Sequence, residues 1–178
     1  MDTNFVIAQI FGILGIVASV CSMQFKKRKQ IFIALLLLNL FSALNFVFLG
    51  AMASAYVCLF AILEMIVNHL FERKKKNVPV WVVGFYAIAN IALGTLGFSG
   101  WLDILPILCA LIFCATILMK KEQNIRKATL ANQTLWLIFD LSVGAYFFAV
   151  SNVLTLISTG IALYRYQDKK KTRTKSES

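Results

Sequence analysis

Near the end of the sequence an amide, a flat aromatic ring and an acid fall on one helical face. Gln133, Trp136 and Asp140 are spaced so that an α-helix, at roughly 100° per residue, places them within about 60° of one another. They lie in an apolar segment, where an aspartate at a helix centre costs roughly 2.5–3.5 kcal/mol or more. A carboxyl there needs a partner, a water-filled cavity or a proton. The pattern predicts a cavity that binds a small polar solute. The alternative is that Asp140 bonds a neighbouring helix and Trp136 packs.

The first half of the chain holds counterparts of these residues. Phe41 followed by Asn45 repeats the aromatic-then-polar order of Trp136 and Asp140, so the two pairs are predicted to face each other. The side chains predicted to bind the solute are Asn39, Phe41, Asn45, Gln133, Trp136 and Asp140. Flat rings stack on sugar faces or heteroaromatic rings, and the polar groups bond hydroxyls or amides. Helix packing of the rings and an interhelical Asn–Asp bond, about 0.6–2 kcal/mol in a membrane, stay open as alternatives.

Two carboxyl groups are candidates for proton coupling. Asp140 and Glu64 both lie inside apolar segments, without a Lys or Arg at the same depth. Removal from water favours the protonated form of a carboxyl, so a group that gains and loses a proton could couple solute to protons. Because its counterpart Asn45 cannot titrate, hydrogen bonding without coupling stays open for Asp140. Pairing with a cation at the membrane surface stays open for Glu64.

Motifs of catalysis and of metal binding are missing from the sequence. It has no glycine-rich phosphate loop and no nucleophile with a histidine partner, since His69 is the only histidine. The four cysteines lie in apolar segments without metal-ligand spacing. We therefore expect neither an enzyme nor a protein with a metal or another cofactor.

Composition indicates what kind of protein positions these residues. Of the 178 residues, 60% are hydrophobic, against roughly 45–50% in soluble domains, and the mean hydropathy is +0.77. At about 20 apolar residues per span, this predicts an all-α integral membrane protein without a soluble domain. Seven apolar segments can be distinguished, at about 4–25, 30–49, 52–71, 78–97, 101–119, 127–149 and 150–167.

The net charge of +10 comes from clusters between the apolar segments. All 18 Lys and Arg fall in residues 26–29, 73–76, 120–127 and 165–175. If seven segments cross the membrane, these clusters share one side, which the positive-inside rule makes cytoplasmic. We therefore predict an outer N-terminus, a cytoplasmic C-terminus, contacts with membrane lipids at the headgroups, and no nucleic-acid partner.

A weak internal repeat organises the segments. Displaced by about 94–95 positions, Lys26–Lys27 falls on Lys120–Lys121, and Gly50 falls on Gly144 or Ala145. The first three segments then match the last three, and the fourth is left as a linker. The predicted units are a first triple-helix repeat at 1–77, a linker transmembrane helix at 78–98, a second triple-helix repeat at 99–168 and a disordered basic cytoplasmic tail at 169–178. This 3+1+3 plan gives parallel repeats with a solute site between them, near the membrane midplane.

The plan and the last third of the chain resemble known proteins. Parallel triple-helix repeats with one linker are similar to the SWEET and PQ-loop superfamily. The stretch from Asn132 through Trp136 and Asp140 to Arg165-Tyr166 most resembles the YgjV-like family of bacterial inner-membrane proteins. The resemblance implies seven transmembrane helices in the inner membrane. Superfamily members transport sugars, vitamins or other small solutes, and others are sorting receptors. It therefore implies a transporter for a sugar, a nucleoside or a vitamin-like solute, with a non-transporting receptor or scaffold as the alternative.

The same resemblance indicates where helices bend. Superfamily members often carry a proline in the first helix of each repeat, where it breaks the backbone ladder. Pro106 fits this pattern, whereas the first segment has Gly12 and Gly15 at the equivalent level. The PQ dipeptide is absent, since Ile107 follows Pro106. We predict hinges at Gly12, Gly15 and Pro106. The sequence leaves open whether the chain acts as a monomer or as a homo-oligomer.

Overall fold

The computed structural model describes residues 3–25, 27–119 and 122–176. In these ranges the chain forms seven α-helices. They are α1 Thr3–Gln24, α2 Arg28–Phe48, α3 Met52–Arg73, α4 Val80–Leu96, α5 Ile104–Leu118, α6 Glu122–Val143 and α7 Tyr146–Ser176, with a 3-10 turn at Trp101–Asp103. The basic residues Lys26, Lys120 and Lys121 of the predicted repeat lie outside the described ranges.

Several helices are suited to crossing a membrane. Among the described residues, four stretches are long and apolar enough to do so, namely Thr3–Ser22, Lys29–Phe48, Met52–Arg73 and Trp101–Leu118. Two further apolar stretches are shorter, Val80–Leu96 and Tyr146–Ile161. The remaining helix, α6, starts with charged and amide residues and turns apolar only in its second half. The all-α membrane architecture is confirmed, whereas seven crossings and the sides of the termini stay predictions.

The helices expose apolar side chains and bury polar ones. Leu63, Ile88 and Leu96 are more than half exposed, as expected of side chains that face lipid. The polar side chains among the largest fully buried ones include Asn45, Glu64, Asn90 and Asp140. Because a polar group inside a membrane is expensive, such residues are the first places to look for function.

The turn between α6 and α7 lies earlier than the sequence predicted. Hydropathy placed it near Val150, but the helix ends before Gly144, whose φ of 81° is in the left-handed region. The Ala145 N–H then donates to the Asp140 carbonyl oxygen at 2.8 Å. Glycine takes this conformation without steric cost, and the apolar residues on both sides hide the break from a hydropathy pattern. As a consequence, Asp140 lies in the last turn of α6 and not deep within a span.

Helix boundaries recur 94 positions apart along the chain. The ends of α1 and α5 (24 and 118) and the starts of α3 and α7 (52 and 146) show this spacing. Gly50, with a φ of 77°, lies 94 positions before Gly144. The Ala51 N–H donates to the Phe46 carbonyl oxygen at 2.9 Å, as Ala145 does to Asp140. The two turns are thus built alike.

The main contacts between helices keep their pattern when α1, α2 and α3 are exchanged with α5, α6 and α7. Each helix packs against the next one in the chain, and α1 also packs against α7 and α3 against α5. Replacing α1, α2 and α3 by α5, α6 and α7 converts the α1–α7 contact into the α3–α5 contact. The helix α4 packs on α3 and α5.

The predicted hinge glycines lie where α1 meets α7. A Cβ on Gly15 would overlap the Phe148 ring, and one on Gly12 would lie 3.0 Å from Phe147 Cβ. Both glycines therefore permit close packing of two helices, as small residues do in membrane proteins. Flexibility of α1 at these positions stays a prediction.

The third predicted hinge, Pro106, lies in the first turn of α5. Backbone N–H groups of a first turn have no partner within the helix, so a proline there removes no helical hydrogen bond. The 3-10 turn Trp101–Asp103 ends directly before Ile104, where α5 begins. The proline therefore marks a junction of two helix types and does not break α5 in its middle.

The last helix, α7, ends at Ser176. The disordered basic tail expected at 169–178 stays a prediction. Residues 177 and 178 lie outside the described ranges.

Candidate functional site

A cavity of about 190 Å³ lies between α1, α2, α3, α6 and α7, and we call it the polar cavity. Its lining residues are Ser19, Leu38, Asn39, Ser42, Phe46, Cys58, Gln133, Trp136, Asp140, Phe148, Ser151, Asn152 and Thr155. Hydroxyls, amides and one acid share this wall with three aromatic rings. Such a mixture suits a small polar solute with a flat or apolar face.

Four of the six predicted binding residues line the polar cavity. They are Asn39, Gln133, Trp136 and Asp140. Gln133 and Asp140 are seven residues apart on α6, which is about 10 Å at 1.5 Å per residue. The polar cavity therefore extends from the middle of α6 to its last turn.

Asp140 is buried and half satisfied. The Asn152 Nδ2 donates to Asp140 Oδ2 at 2.7 Å, which ties α6 to α7. The other oxygen, Oδ1, is buried and accepts no hydrogen bond from the described protein groups. The carboxyl thus combines a helix-to-helix bond, which was the alternative interpretation, with an acceptor left for a ligand. The two interpretations of Asp140 apply to different oxygens.

Aromatic rings form one side of the wall. Trp136 and Phe46 stack with ring centroids 5.8 Å apart and planes 14° from parallel. The Phe148 ring centroid lies 6.2 Å from that of Phe46, and Phe139 packs edge-on against Trp136 at 6.0 Å. The cluster fixes the Trp136 ring, so its orientation does not depend on a ligand.

Two amides that line the cavity, Asn39 on α2 and Gln133 on α6, lie 94 positions apart in the chain. The Asn39 Nδ2 donates to the Leu35 carbonyl oxygen at 3.0 Å and lies 3.4 Å from Met65 Sδ. The Gln133 Oε1 is buried without a donor among the described groups. Gln133 therefore offers a second acceptor to a ligand, while the Asn39 donors are engaged.

The lining residues repeat the spacing of the helix boundaries. Four pairs in the wall lie 94 positions apart, namely Asn39 with Gln133, Ser42 with Trp136, Phe46 with Asp140, and Cys58 with Asn152. Each pair takes corresponding positions of α2 and α6 or of α3 and α7. The wall of the polar cavity thus contains residues that lie 94 positions apart on α2 and α6 and on α3 and α7.

Phe41 and Asn45 are outside the polar cavity, contrary to the sequence prediction. Phe41 stacks on Phe11 at 6.4 Å and lines an apolar groove between α1 and α2. The Asn45 Nδ2 donates to the Ala8 carbonyl oxygen at 2.6 Å. Asn45 precedes Gly50 by five positions, whereas Asp140 precedes Gly144 by four, so their similarity in type does not make them equivalent.

Some residues of the wall were not predicted from the sequence. Phe46 and Asn152 are the most informative of them, because each stands 94 positions from a polar or small residue of the same wall. Fixing the register on Gly50 and Gly144, and not on the type of side chain, would have found both.

Glu64 lies in a separate polar group among α3, α4 and α5. The Asn90 Nδ2 donates to Glu64 Oε1 at 2.6 Å and to the Tyr86 carbonyl oxygen at 3.0 Å. The Tyr86 hydroxyl donates to Asn68 Oδ1 at 3.3 Å. Glu64 is therefore bonded to a buried amide within the bundle, and it does not line the polar cavity.

A larger cavity of about 890 Å³ lies at the ends of α2, α3, α4 and α5 that carry basic clusters. Asn68, His69 and Lys76 are among its lining residues. His69 stacks on Phe32 at 4.3 Å. None of the predicted binding residues lies there, so its size does not make it the candidate site. Its wall joins the polar group of Glu64 through Asn68.

Metal binding has no support from the part of the chain that the structure describes. There, no three His, Cys, Asp or Glu side chains form a group that could hold a metal ion. The nearest candidates for chemistry are single carboxyls, Asp140 and Glu64, each bonded to an amide. Both carboxyls accept a hydrogen bond from an amide N–H.

Comparison with known proteins identifies a family. The model of a protein family named Imp-YgjV, with the description bacterial inner membrane protein, matches residues 6–170. No curated protein and no solved structure matches the chain. The family match includes at least part of each of the seven helices.

Proposed function

The chain belongs to the Imp-YgjV family of bacterial inner membrane proteins, and we propose that it is a transporter of a small polar solute. The solute binds in the polar cavity, and two groups of three helices rock about it so that the cavity faces each side of the membrane in turn. One observation carries this proposal: four pairs of lining residues occur 94 positions apart. A site shared by equivalent positions of two repeats is where transporters with repeats bind their solutes.

The repeat itself is part of the proposal. The recurring helix boundaries and the two alike glycine turns support a 3+1+3 arrangement with α4 as the linker. The exchange of the α1–α7 contact with the α3–α5 contact supports it as well. In this arrangement the two groups are related by an axis along the membrane normal, as in the SWEET-like plan that the sequence resembles.

The size of the polar cavity restricts the solute. Its volume of about 190 Å³ is below the roughly 300–1,000 Å³ of pockets for drug-sized ligands. A compact solute therefore fits, and a sugar, nucleoside or vitamin-like molecule requires that the two groups separate. The place of such movement is the α1–α7 contact, where Gly12 and Gly15 pack against Phe147 and Phe148.

Proton coupling through Asp140 extends the proposal. Asp140 is bound to one donor and keeps one oxygen open to the polar cavity, so solute and proton would meet at the same group. Glu64 is bonded to Asn90 and does not line the polar cavity, so proton coupling through Glu64 would be separate from the solute site. We expect uptake by the original protein to respond to an imposed pH gradient. The Asp140→Asn variant should lose this response and still exchange solute. Uptake that is indifferent to the gradient would leave facilitated diffusion.

The transporter proposal is tested by uptake into proteoliposomes. Vesicles with the purified chain are offered labelled sugars, nucleosides, vitamins and small amines. We expect uptake of at least one class, and we expect Trp136→Ala and Asp140→Ala to abolish it. Trp81→Ala is the matched control, because Trp81 is exposed at the start of α4 and does not line the cavity. No uptake of any class, or uptake unchanged by both cavity variants, would contradict the proposal.

A receptor or scaffold without transport is the second candidate. It is favoured by the engagement of Asn45 and Asn39 in bonds within the protein and by the small volume of the polar cavity. Cross-linking in membranes distinguishes it, since a scaffold should give one partner in fixed ratio and a transporter need not. A stoichiometric partner whose recovery is unaffected by Trp136→Ala, together with no uptake, would favour the scaffold.

A further inference from the structure

The charge of the polar cavity has one sign. Asp140 is an acid, and none of the described residues that line the cavity is Lys, Arg or His. An anionic solute would therefore meet a carboxyl with no cation to offset it. A solute with one positive charge would instead pair with Asp140 and offset the charge of a buried carboxyl.

The buried polar atoms of the wall that lack a partner are acceptors. Two buried polar atoms that line the cavity have no partner among the described groups, and both are oxygens: Asp140 Oδ1 and Gln133 Oε1. The nearest amide donors are engaged, since Asn152 Nδ2 bonds Asp140 Oδ2 and Asn39 Nδ2 bonds the Leu35 carbonyl oxygen. A ligand that satisfies these two oxygens must donate hydrogen bonds.

The aromatic side of the wall fits the same ligand. Trp136, Phe46 and Phe148 all line the cavity and are held in one cluster. Aromatic rings attract cations through their quadrupole, and Trp does so best. A carboxyl, an amide oxygen and three rings around one small space are complementary to an ammonium group.

We infer that the solute is a small organic cation, an ammonium compound whose N–H groups donate to Asp140 Oδ1. This inference rests on the proposed solute site and names its substrate class. The volume of about 190 Å³ restricts the solute to a compact amine. Neutral sugars satisfy the acceptors but leave the carboxylate without a counter-charge.

The test compares three two-carbon probes, of which one is a cation, one is neutral and one is an anion. Ethanolamine, ethylene glycol and glycolate are titrated calorimetrically into the full-length chain in detergent micelles, with glucose as a neutral sugar. Trp136 emission reports binding at the site in a Trp81→Phe/Trp101→Phe background, which leaves Trp136 as the single tryptophan. Both replaced rings are exposed. We expect ethanolamine to bind about ten-fold tighter than ethylene glycol, as for a hydrogen bond to a charged group, and glycolate not to bind.

Variants assign the preference to Asp140. Asp140→Asn should weaken ethanolamine binding by about ten-fold and leave that of ethylene glycol unchanged, and Asp140→Glu should keep the preference for the cation. Asp103→Asn is the control, because Asp103 is a buried acid that bonds Ser99 and Gly100 outside the cavity. Far-UV circular dichroism of each variant checks the fold, and if Asp140→Asn does not fold, Trp136→Leu replaces it and should also lower the preference.

The outcomes separate this inference from the transporter proposal. If ethanolamine binds no more tightly than ethylene glycol, the cation inference is overturned. The same holds if none of the probes binds. If glucose alone binds and changes Trp136 emission, the cation inference fails but the solute site stands. If the preference for ethanolamine is unchanged in Asp140→Asn, the assignment of this preference to Asp140 is overturned. Failure of the transporter proposal is read independently from uptake into proteoliposomes.

Discussion

At the scale of single residues, the proposed site depends on the two oxygens of Asp140. One oxygen accepts from Asn152, and the other is buried without a donor among the described groups. In a membrane the donor cannot be replaced by bulk water, so its loss leaves a buried carboxyl unsatisfied. The same carboxyl therefore serves packing of α6 on α7 and binding of a ligand.

A double-mutant cycle measures the packing part. Asn152→Ala and Asp140→Ala should each lower the free energy of unfolding, and the double variant should lose less than the sum of the two. We expect a coupling of about 0.6–1.7 kcal/mol, the range for interhelical hydrogen bonds in membranes. Thermal unfolding of the four proteins in one detergent gives the values, and additive losses would show that the bond contributes nothing.

The sequence located some residues of the site and misplaced others, and the difference has a physical reason. The stripe of Gln133, Trp136 and Asp140 was predictable because a single helix fixes the angles between its side chains. Phe41 and Asn45 were placed by likeness of type, and likeness of type does not fix register between two helices. One position of slip turns a residue by about 100°, and Phe41 accordingly lies in the groove between α1 and α2 and not in the cavity wall.

At the scale of the elements, two glycine turns set the register. Gly50 and Gly144 both have a positive φ and lie 94 positions apart, and they fix where α3 and α7 start. Hydropathy predicted that apolar helices exist and which basic segments separate them. It could not locate the α6–α7 turn, because a left-handed glycine between apolar residues leaves no polar signal.

Close approach of α1 to α7 is the element-scale property most easily tested. An added Cβ at Gly15 would overlap the Phe148 ring, so Gly15→Ala forces Phe148 to move toward the cavity or pushes α1 away. We expect a loss of stability of about 1–3 kcal/mol, as for overpacking of a core, and weaker solute binding. Thermal unfolding and calorimetry measure the two effects.

Gly84 provides the control for that substitution. It lies in α4, and a Cβ added there has no neighbouring atom within 4 Å, so Gly84→Ala meets open space. Alanine has a better helix propensity than glycine by about 0.8–1.0 kcal/mol, and this variant should be as stable as the original or more so. Equal losses in Gly15→Ala and Gly84→Ala would contradict the close contact of α1 with α7.

At the scale of the whole molecule, the basic clusters and the uncharged turns define two ends. The ends of α2, α3, α4 and α5 that meet at the larger cavity carry basic segments. The turns at Gly50 and Gly144 carry none. The positive-inside rule predicts that the basic end is cytoplasmic.

Labelling of single cysteines tests this orientation. In a chain without its four cysteines, Ser99→Cys and Asn77→Cys place exposed thiols at opposite ends of α4. A maleimide that does not cross the membrane should label Ser99→Cys in intact cells and Asn77→Cys only in inverted vesicles. The reverse pattern would place the basic end outside, and labelling of both in intact cells would show that α4 does not cross.

Accessibility of Cys58 tests the central claim, alternating exposure of the polar cavity, most directly. Cys58 lines the cavity and Cys109 does not, although both side chains are buried, so proteins that keep only one of the two are a matched pair. We expect a water-soluble methanethiosulfonate that does not cross the membrane to modify Cys58 both in intact cells and in inverted vesicles, and to leave Cys109 unmodified. Modification of Cys58 from one side only, or at the slow rate of Cys109 from both sides, would contradict the claim.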